Sequence, residues 1–399
     1  MTKKISLLWI WVFFSLGAVA QPSKEFFMAG KRKLRAKEYK KAIEYFNKAL
    51  AANKTDVAAM GARGIAKMGL KDFEGAKNDF RAILQLQPND ARTWNNLGTV
   101  EMTQKDFQGA IKSFSRALKT RRHPMLLFNR GISYYQLKNY KQAAKDFDAA
   151  LAMRPTKGNL PIRLYNNRGN ARDMLGNYKG AIADYTAVIN KVPGNDNAFY
   201  NRGLTYKKIY KYKEALADFD KVVKMGAKFK EVYYHRGICR NATQNYKGAI
   251  VDFDKAIKLM GEDVIVYNSR GFSKQNLYDD KGAIADFTKA IEIDPNNTLG
   301  YFSRGALYYQ AKKYKKALSD FDKIVQLKPN DEKAYITRGN IKFKLENYKG
   351  ALADFDKAIK ISPKSRKAYF LRGNVKQKMG NMEGAEADWM KAGQIKKKR

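Results

Sequence analysis

Nine arginines and nine aspartates stand sixteen residues apart along this chain, and a guanidinium facing a carboxylate is the chemistry its sequence repeats. The arginines are Arg63, Arg130, Arg168, Arg202, Arg236, Arg270, Arg304, Arg338 and Arg372. The aspartates are Asp79, Asp146, Asp184, Asp218, Asp252, Asp286, Asp320, Asp354 and Asp388. Facing each other, the two groups form a charge-assisted, two-pronged pair. Facing outward, a row of arginines would instead be a ladder for phosphates. Each arginine brings its own carboxylate, and the two partners vanish together, at Ala29 with Tyr45 and at Leu97 with Ser113. That covariation favours internal pairs. The same residue column one repeat earlier fits less well, because Arg63 would face Tyr45 and Arg130 would face Ser113.

Other chemistry is thin. His123 and His235 are the only histidines, and they fall in different repeats, so they suggest neither a metal cluster nor a catalytic triad. No phosphate-cradling glycine motif is present. Cys239 is the single cysteine, expected as a small buried hydrophobe rather than a disulfide partner. Asn53-Lys54-Thr55 and Asn241-Ala242-Thr243 match a glycosylation sequon, a pattern short enough to arise by chance. The expectation is a binding protein with no catalytic residues, no metal and no cofactor.

The elements that carry the pairs follow from a repeat. Glycine recurs at 30, 64, 98, 131, 169, 203, 237, 271, 305, 339 and 373, spaced 34, 34, 33, 38 and then 34 six times. The long spacing holds an insertion over Thr156–Pro161. Twelve residues after each glycine stands alanine, and sixteen after stands an aromatic, from Phe46 to Trp389. Small residues there let paired helices approach, and the ring fills the space beside them. Prolines such as Pro88, Pro193 and Pro329 close the repeats. Each repeat therefore reads as helix, tight turn, antiparallel helix. The units lie near 23–56, 57–90, 91–123, 124–161, 162–195, 196–229, 230–263, 264–297, 298–331, 332–365 and 366–395, in a single solenoid over 21–395.

A stretch such as AFYNRGLTYKKIYKYKEALADFDKVV (198–223) resembles the tetratricopeptide repeat family, and the resemblance covers about residues 23–395. It implies an all-α, right-handed superhelical solenoid of eleven hairpins, binding protein or peptide partners in a concave groove lined by first helices. The resemblance assigns to that groove Phe128, Asn166, Asn170, Tyr200, Tyr234, Asn268, Phe272, Phe302, Ile336, Asn340, Phe370 and Asn374. Asparagines can bond an extended peptide backbone, and aromatics supply apolar area. Some relatives clamp a C-terminal carboxylate with basic residues. Here Asn166, Asn170, Glu231 and His235 stand at those places and put such a clamp in doubt.

Lys plus Arg total 78 against 38 Asp plus Glu, a formal net charge of +40. Lys221, Lys255, Lys289, Lys323, Lys357 and Lys391 recur eighteen residues after the glycine and would stack into an outer ribbon. Such a ribbon either keeps an apolar stack soluble or grips an anionic polymer, polysaccharide or nucleic acid. Lys3 and Lys4 before an apolar run to Ala20 read as an export signal cut after Ala20. The expected location is periplasmic or secreted, with an uncleaved N-terminal membrane anchor as the alternative and no later membrane span. Gly393 replaces the aliphatic residue that ten repeats carry twenty after the glycine, and a basic tail fills 396–399. That end is uncapped and leaves dimerisation through it open.

Overall fold

Where each first helix stops is set by one left-handed residue. Seven positions after the repeat glycine the backbone turns to positive φ, on Lys71 (62°), Lys138 (59°), Tyr278 (61°) and their counterparts, with glycine at only Gly176 and Gly380. The chain then closes on the helix it has left. The Lys71 N–H donates to the Met68 carbonyl at 3.0 Å and the Asp72 N–H to the Lys67 carbonyl at 2.9 Å. This pairing satisfies the terminal carbonyls of the helix and reverses the chain. Asp72 at once caps the next helix, accepting from the Gly75 N–H at 2.9 Å. A Cβ on Gly75 would lie 2.1 Å from Asp72 Oδ2. At this turn the capping carboxylate occupies the space that a side chain at position 75 would need.

The computed structural model describes residues 22–156, 158–226 and 228–395. The export signal expected over 1–20 and the tail at 396–399 lie outside them. The chain divides into one unit ending at Thr205 and another beginning at Tyr206. The first unit holds α1 (22–35), α2 (Tyr39–Ala52), α3 (Val57–Gly69), α4 (Phe73–Leu86), α5 (Ala91–Thr103), α6 (Phe107–Thr120), α7 (Pro124–Gln136), α8 (Tyr140–Ala152), α9 (Leu160–Met174) and α10 (Tyr178–Lys191). These form five antiparallel hairpins. The boundary falls inside α11 (Asp196–Lys208).

The second unit holds α12 (Tyr212–Lys224), followed by α13 (Val232–Ala242), α14 (Tyr246–Met260), α15 (Val264–Asn276), α16 (Asp280–Ile293), α17 (Thr298–Gln310), α18 (Tyr314–Leu327), α19 (Glu332–Lys344), α20 (Tyr348–Ile361), α21 (Arg366–Lys378) and α22 (Met382–Gln394). From α13 onward these form five more hairpins. Among the described residues every regular element is helical, so the chain is an all-α repeat solenoid. No described helix is long and apolar enough to cross a membrane. The insertion is shorter than its spacing suggests, because Leu160 and Pro161 already form the first turn of α9.

Within a hairpin the glycine receives the aromatic ring. A Cβ on Gly64 would sit 2.6 Å from Phe80 Cε1, and one on Gly131 would sit 2.6 Å from Phe147 Cε1. Real side chains do not approach so closely, so these positions hold glycine for contact rather than for backbone freedom. The alanine column beside them is fully buried, as at Ala76, Ala143, Ala249 and Ala317. Between hairpins the second helix hands an apolar face to the next first helix. Ile83 and Leu84 of α4, for example, share a cluster with Leu97 and Val100 of α5.

Candidate functional site

Arginine–aspartate pairs form inside hairpins, eight of them with both bonds resolved, from Arg63–Asp79 to Arg372–Asp388. In each the guanidinium Nε and Nη2 donate to the two carboxylate oxygens. At Arg236 those distances are 2.9 Å and 2.6 Å, with Asp252 only 1% exposed. The arginines are therefore consumed by their own hairpins and present no phosphate ladder.

The remaining nitrogen makes a bond that the sequence reading did not consider. Nη1 crosses to the preceding hairpin, where it meets a polar residue seventeen positions after that hairpin's glycine. Arg63 donates to Asn47, Arg130 to Ser115, Arg168 to Asp148, Arg202 to Thr186, Arg236 to Asp220, Arg270 to Asp254, Arg304 to Thr288, Arg338 to Asp322 and Arg372 to Asp356, all within 3.0 Å. The Arg–Asp pairing within each hairpin stands, and the third bond adds to it: each guanidinium is also a joint between two hairpins. A comparison of like columns could not find it, because the acceptor lies two residues beyond the aspartate column. A signal was available, since Arg81 occupies the acceptor column just before the hairpin in which Leu97 replaces arginine.

A second cation sits on some pairs and not others. Lys67, Arg172, Arg240, Lys274, Lys342 and Lys376, three residues after the glycine, reach the other oxygen of Asp79, Asp184, Asp252, Asp286, Asp354 and Asp388 at 2.8–3.0 Å. Tyr134 and Tyr308 take that place beside Asp146 and Asp320. The consequence shows in acidity. Burial pushes the Asp320 carboxyl above its ordinary value, the Arg304 hydrogen bond offsetting only part. Burial also acts on Asp388, yet hydrogen bonds from Arg372 and Lys376 hold it below. In the exceptional third hairpin Ser113 Oγ donates to Glu101 Oε2 at 2.6 Å instead, and burial raises the Glu101 carboxyl.

The first-helix residues assigned to the groove separate into two groups. Phe128 is 2% exposed, its ring 5.9 Å from that of Phe147 and covered by the Arg163 guanidinium at 4.4 Å. Asn268 is 5% exposed, and Ile336 is buried as well. These three are core rather than groove, which corrects their assignment. Asn170 and Asn374 are also corrected as peptide ligands, because their hairpins carry Tyr185 and Trp389 where others carry phenylalanine. Tyr185 Oη donates to Asn170 Oδ1 at 2.7 Å and Trp389 Nε1 to Asn374 Oδ1 at 3.1 Å.

Asn166, Tyr200, Tyr234, Phe272 and Asn340 are half-buried, with Phe272 edge-on to Phe287 at 5.3 Å. Phe302 and Phe370 stand out at 47% and 52% exposed. Leu299 lies three residues before Phe302 on the same face of α17, and Ile265 holds the matching place on α15; both are exposed.

The lysine column is not a uniform row of free ammonium groups. Lys221, Lys255 and Lys391 are exposed, while Lys323 and Lys357 are half-buried. Lys289 is bound, bridging Glu262 at 3.1 Å and Glu292 at 3.7 Å, and Glu262 pushes its ammonium up. Elsewhere in the second unit the Lys207 ammonium stands 3.0 Å from His235 Nδ1. Burial and Lys207 pull the imidazole down to about 4, so it is neutral at physiological pH. Buried Cys239 lies in the same neighbourhood, and burial pushes its thiol up to about 12. Among the described residues no group of three or more His, Cys, Asp or Glu is placed to hold a metal.

Models of the tetratricopeptide repeat match residues 27–56, 62–124, 124–157, 196–226, 265–297, 287–319 and 304–376, together more than half of the chain. No curated protein matches significantly over its sequence. Among solved structures, the C-terminal part of a TPR repeat-containing protein from Cytophaga hutchinsonii superposes with a TM-score of 0.52 at 20% identity, over 59% of this chain and 96% of that one. A tetratricopeptide repeat protein from Parabacteroides merdae gives a TM-score of 0.47 at 20% identity, over 66% and 98%. YrrB, described as a TPR protein with an unusual peptide-binding site, gives 0.41 at 25% identity, over 46% and 95%.

Proposed function

This chain belongs to the tetratricopeptide repeat family, and from that premise we propose that it is an exported scaffold binding protein or peptide partners on the face of its first helices. The observation that carries the reading is the exposure of Phe302 and Phe370. Burial is the ordinary fate of large apolar side chains, and contiguous exposed ones mark interaction sites. Phe302 and Leu299 form such a stretch on α17, exposed Ile265 holds the matching place on α15, and half-buried Asn340 and Tyr234 supply polar groups on other first helices of the second unit. The consumed arginines leave this face apolar and amide-rich, chemistry suited to an extended chain.

The export signal at 1–20 and a periplasmic or secreted address complete the proposal. The second reading, adhesion of an anionic polymer to Lys221, Lys255 and Lys391, is favoured by the net charge of +40. Affinity capture from the cell envelope, washed at about 0.15 M and about 0.5 M salt, separates the two, because added salt screens charge-driven contacts. A defined protein retained at high salt, and lost from a Phe302→Ala/Phe370→Ala variant, supports the scaffold. Retention of polysaccharide or nucleic acid alone, released at high salt and by Lys221→Glu/Lys255→Glu/Lys391→Glu, overturns it.

A further inference from the structure

One first helix lacks the side chain that its neighbours hold three residues before the repeat glycine. Phenylalanine, tyrosine or asparagine stands there at Phe27, Asn95, Phe128, Asn166 and Tyr200, but α3 carries Gly61. The space is open: a Cβ built on Gly61 meets only Ile83 Cδ1, at 3.6 Å, an ordinary contact. Around it lies a cavity of about 640 Å³ within the first unit, walled by Phe27, Leu34, Val57 and Ile65. That volume falls within the range of sites that enclose a bulky apolar group.

The mouth of the cavity is cationic. Lys31, Arg92 and Arg121 line it, and among the described residues none of them is held in an ion pair. Asp90 is the one acidic residue in the lining, and its carboxylate already accepts from the Arg92 and Thr93 N–H groups as the cap of α5. Arg92 and Arg121 also wall an adjoining cavity of about 190 Å³ with His123, so cationic side chains continue along this edge. Apolar floor and cations outside any ion pair among the described residues occur together here, the Lys31 ammonium standing 5.6 Å from the centre of the Phe27 ring.

We propose that this cavity is the seat for an acidic linear segment of a partner protein, anchored by one aromatic side chain. The ring enters beside Gly61 and fills the place that the protein's own ring fills in other first helices. Acidic residues flanking the anchor pair with Lys31, Arg92 and Arg121. Such a site is apolar at its centre and charged at its rim, the arrangement of an interface hot spot. The proposal rests on the partner-binding reading above and gives it a location and a ligand chemistry.

Fluorescence anisotropy on the full chain tests it, with labelled short peptides in a Gly/Ser frame. One carries a tryptophan flanked by glutamates, one the same tryptophan flanked by lysines, and one the glutamates with glycine for tryptophan. At about 0.15 M salt the Glu/Trp peptide should bind at least about tenfold more tightly than either control. Gly61→Phe fills the cavity and should weaken that binding by about tenfold, as should Arg92→Glu/Arg121→Glu. The glycine variant gains helix propensity, so an unchanged circular dichroism spectrum is expected alongside the loss. Equal binding of the two glutamate peptides, or indifference to Gly61→Phe, overturns the seat. Binding that ignores Gly61→Phe but disappears in Phe302→Ala/Phe370→Ala also overturns it, while leaving the scaffold reading intact. Failure of every peptide to bind, with no protein retained in the high-salt capture, sinks both.

Discussion

Replacing Arg304 by alanine should damage this protein more than replacing Arg270, although the two arginines occupy the same place in successive hairpins. Asp320 is 3% exposed and receives Arg304 Nε at 3.1 Å and Nη2 at 2.6 Å, with no second cation among the described residues. Arg304→Ala leaves that carboxylate buried and unpaired, which costs about 3–5 kcal/mol. Asp286 receives Arg270 at 3.0 Å and 2.6 Å and also Lys274 at 2.9 Å. After Arg270→Ala two hydrogen bonds go, but the lysine still neutralises the carboxylate, so no buried charge is left unpaired and the loss falls below that of Arg304→Ala. The Arg270 bond to Asp254 adds little, because that carboxylate is exposed.

In a stack of repeats stability is local, so urea denaturation should be accompanied by hydrogen exchange that locates the loss in α17 and α18. Acid supplies a second arm. A buried carboxyl whose folded-state pKa is raised takes up its proton first in the folded state, so it destabilises as pH rises through that range. The Arg304→Ala deficit should therefore shrink as pH falls from about 7 toward about 5, and Arg304→Ala/Asp320→Asn should recover much of it at neutral pH. A loss below about 1 kcal/mol, or one no larger than that of Arg270→Ala, would refute the reasoning.

Gly131→Ala should cost about 1–3 kcal/mol by forcing the Phe147 ring away, read as a lowered urea midpoint. Tyr278→Gly should stabilise by about 1 kcal/mol, since Tyr278 holds φ at 61° and its side chain is exposed; an unchanged midpoint would contradict it. His235, with its folded pKa pulled down to about 4, resists protonation in the folded state, so it contributes stability that is lost as pH falls from about 6.5 to about 4. His235→Gln should flatten that part of the second unit's pH profile. Cys239 should alkylate with iodoacetamide only after denaturation, measured by mass spectrometry near pH 8.

Much of this architecture was legible because a fixed period multiplies every local signal. Glycine, alanine and the aromatic recur together, and each has one physical reason that holds in hairpin after hairpin. The Arg–Asp pairs were legible for the same reason, both partners lying in one hairpin. Their third bond was not, because it joins different columns of different hairpins. The groove was only partly legible, since a residue's column fixes its direction but not its cover. Phe128 and Phe302 hold equivalent places, yet Arg163 from the next first helix lies over the ring of Phe128 and leaves it no accessible face. The cavity at Gly61 depends on a missing side chain, and no composition or period marks an absence as a place to bind.

The crossing guanidinium also governs how hairpins could be shuffled. Each has an incoming requirement, arginine or not, and an outgoing offer seventeen residues after its glycine. Excising the third hairpin would set Arg81 against Arg130, cation on cation, whereas excising the second and third together would set Asn47 against Arg130 and keep an acceptor in place. Duplicating the hairpin that runs from Arg338 to Asp356 is permitted by the same rule, because Asp356 would meet a second copy of Arg338 as it now meets Arg372. Gain and loss of repeats in this chain is thus a matter of grammar: a hairpin can follow only one whose last word it can answer.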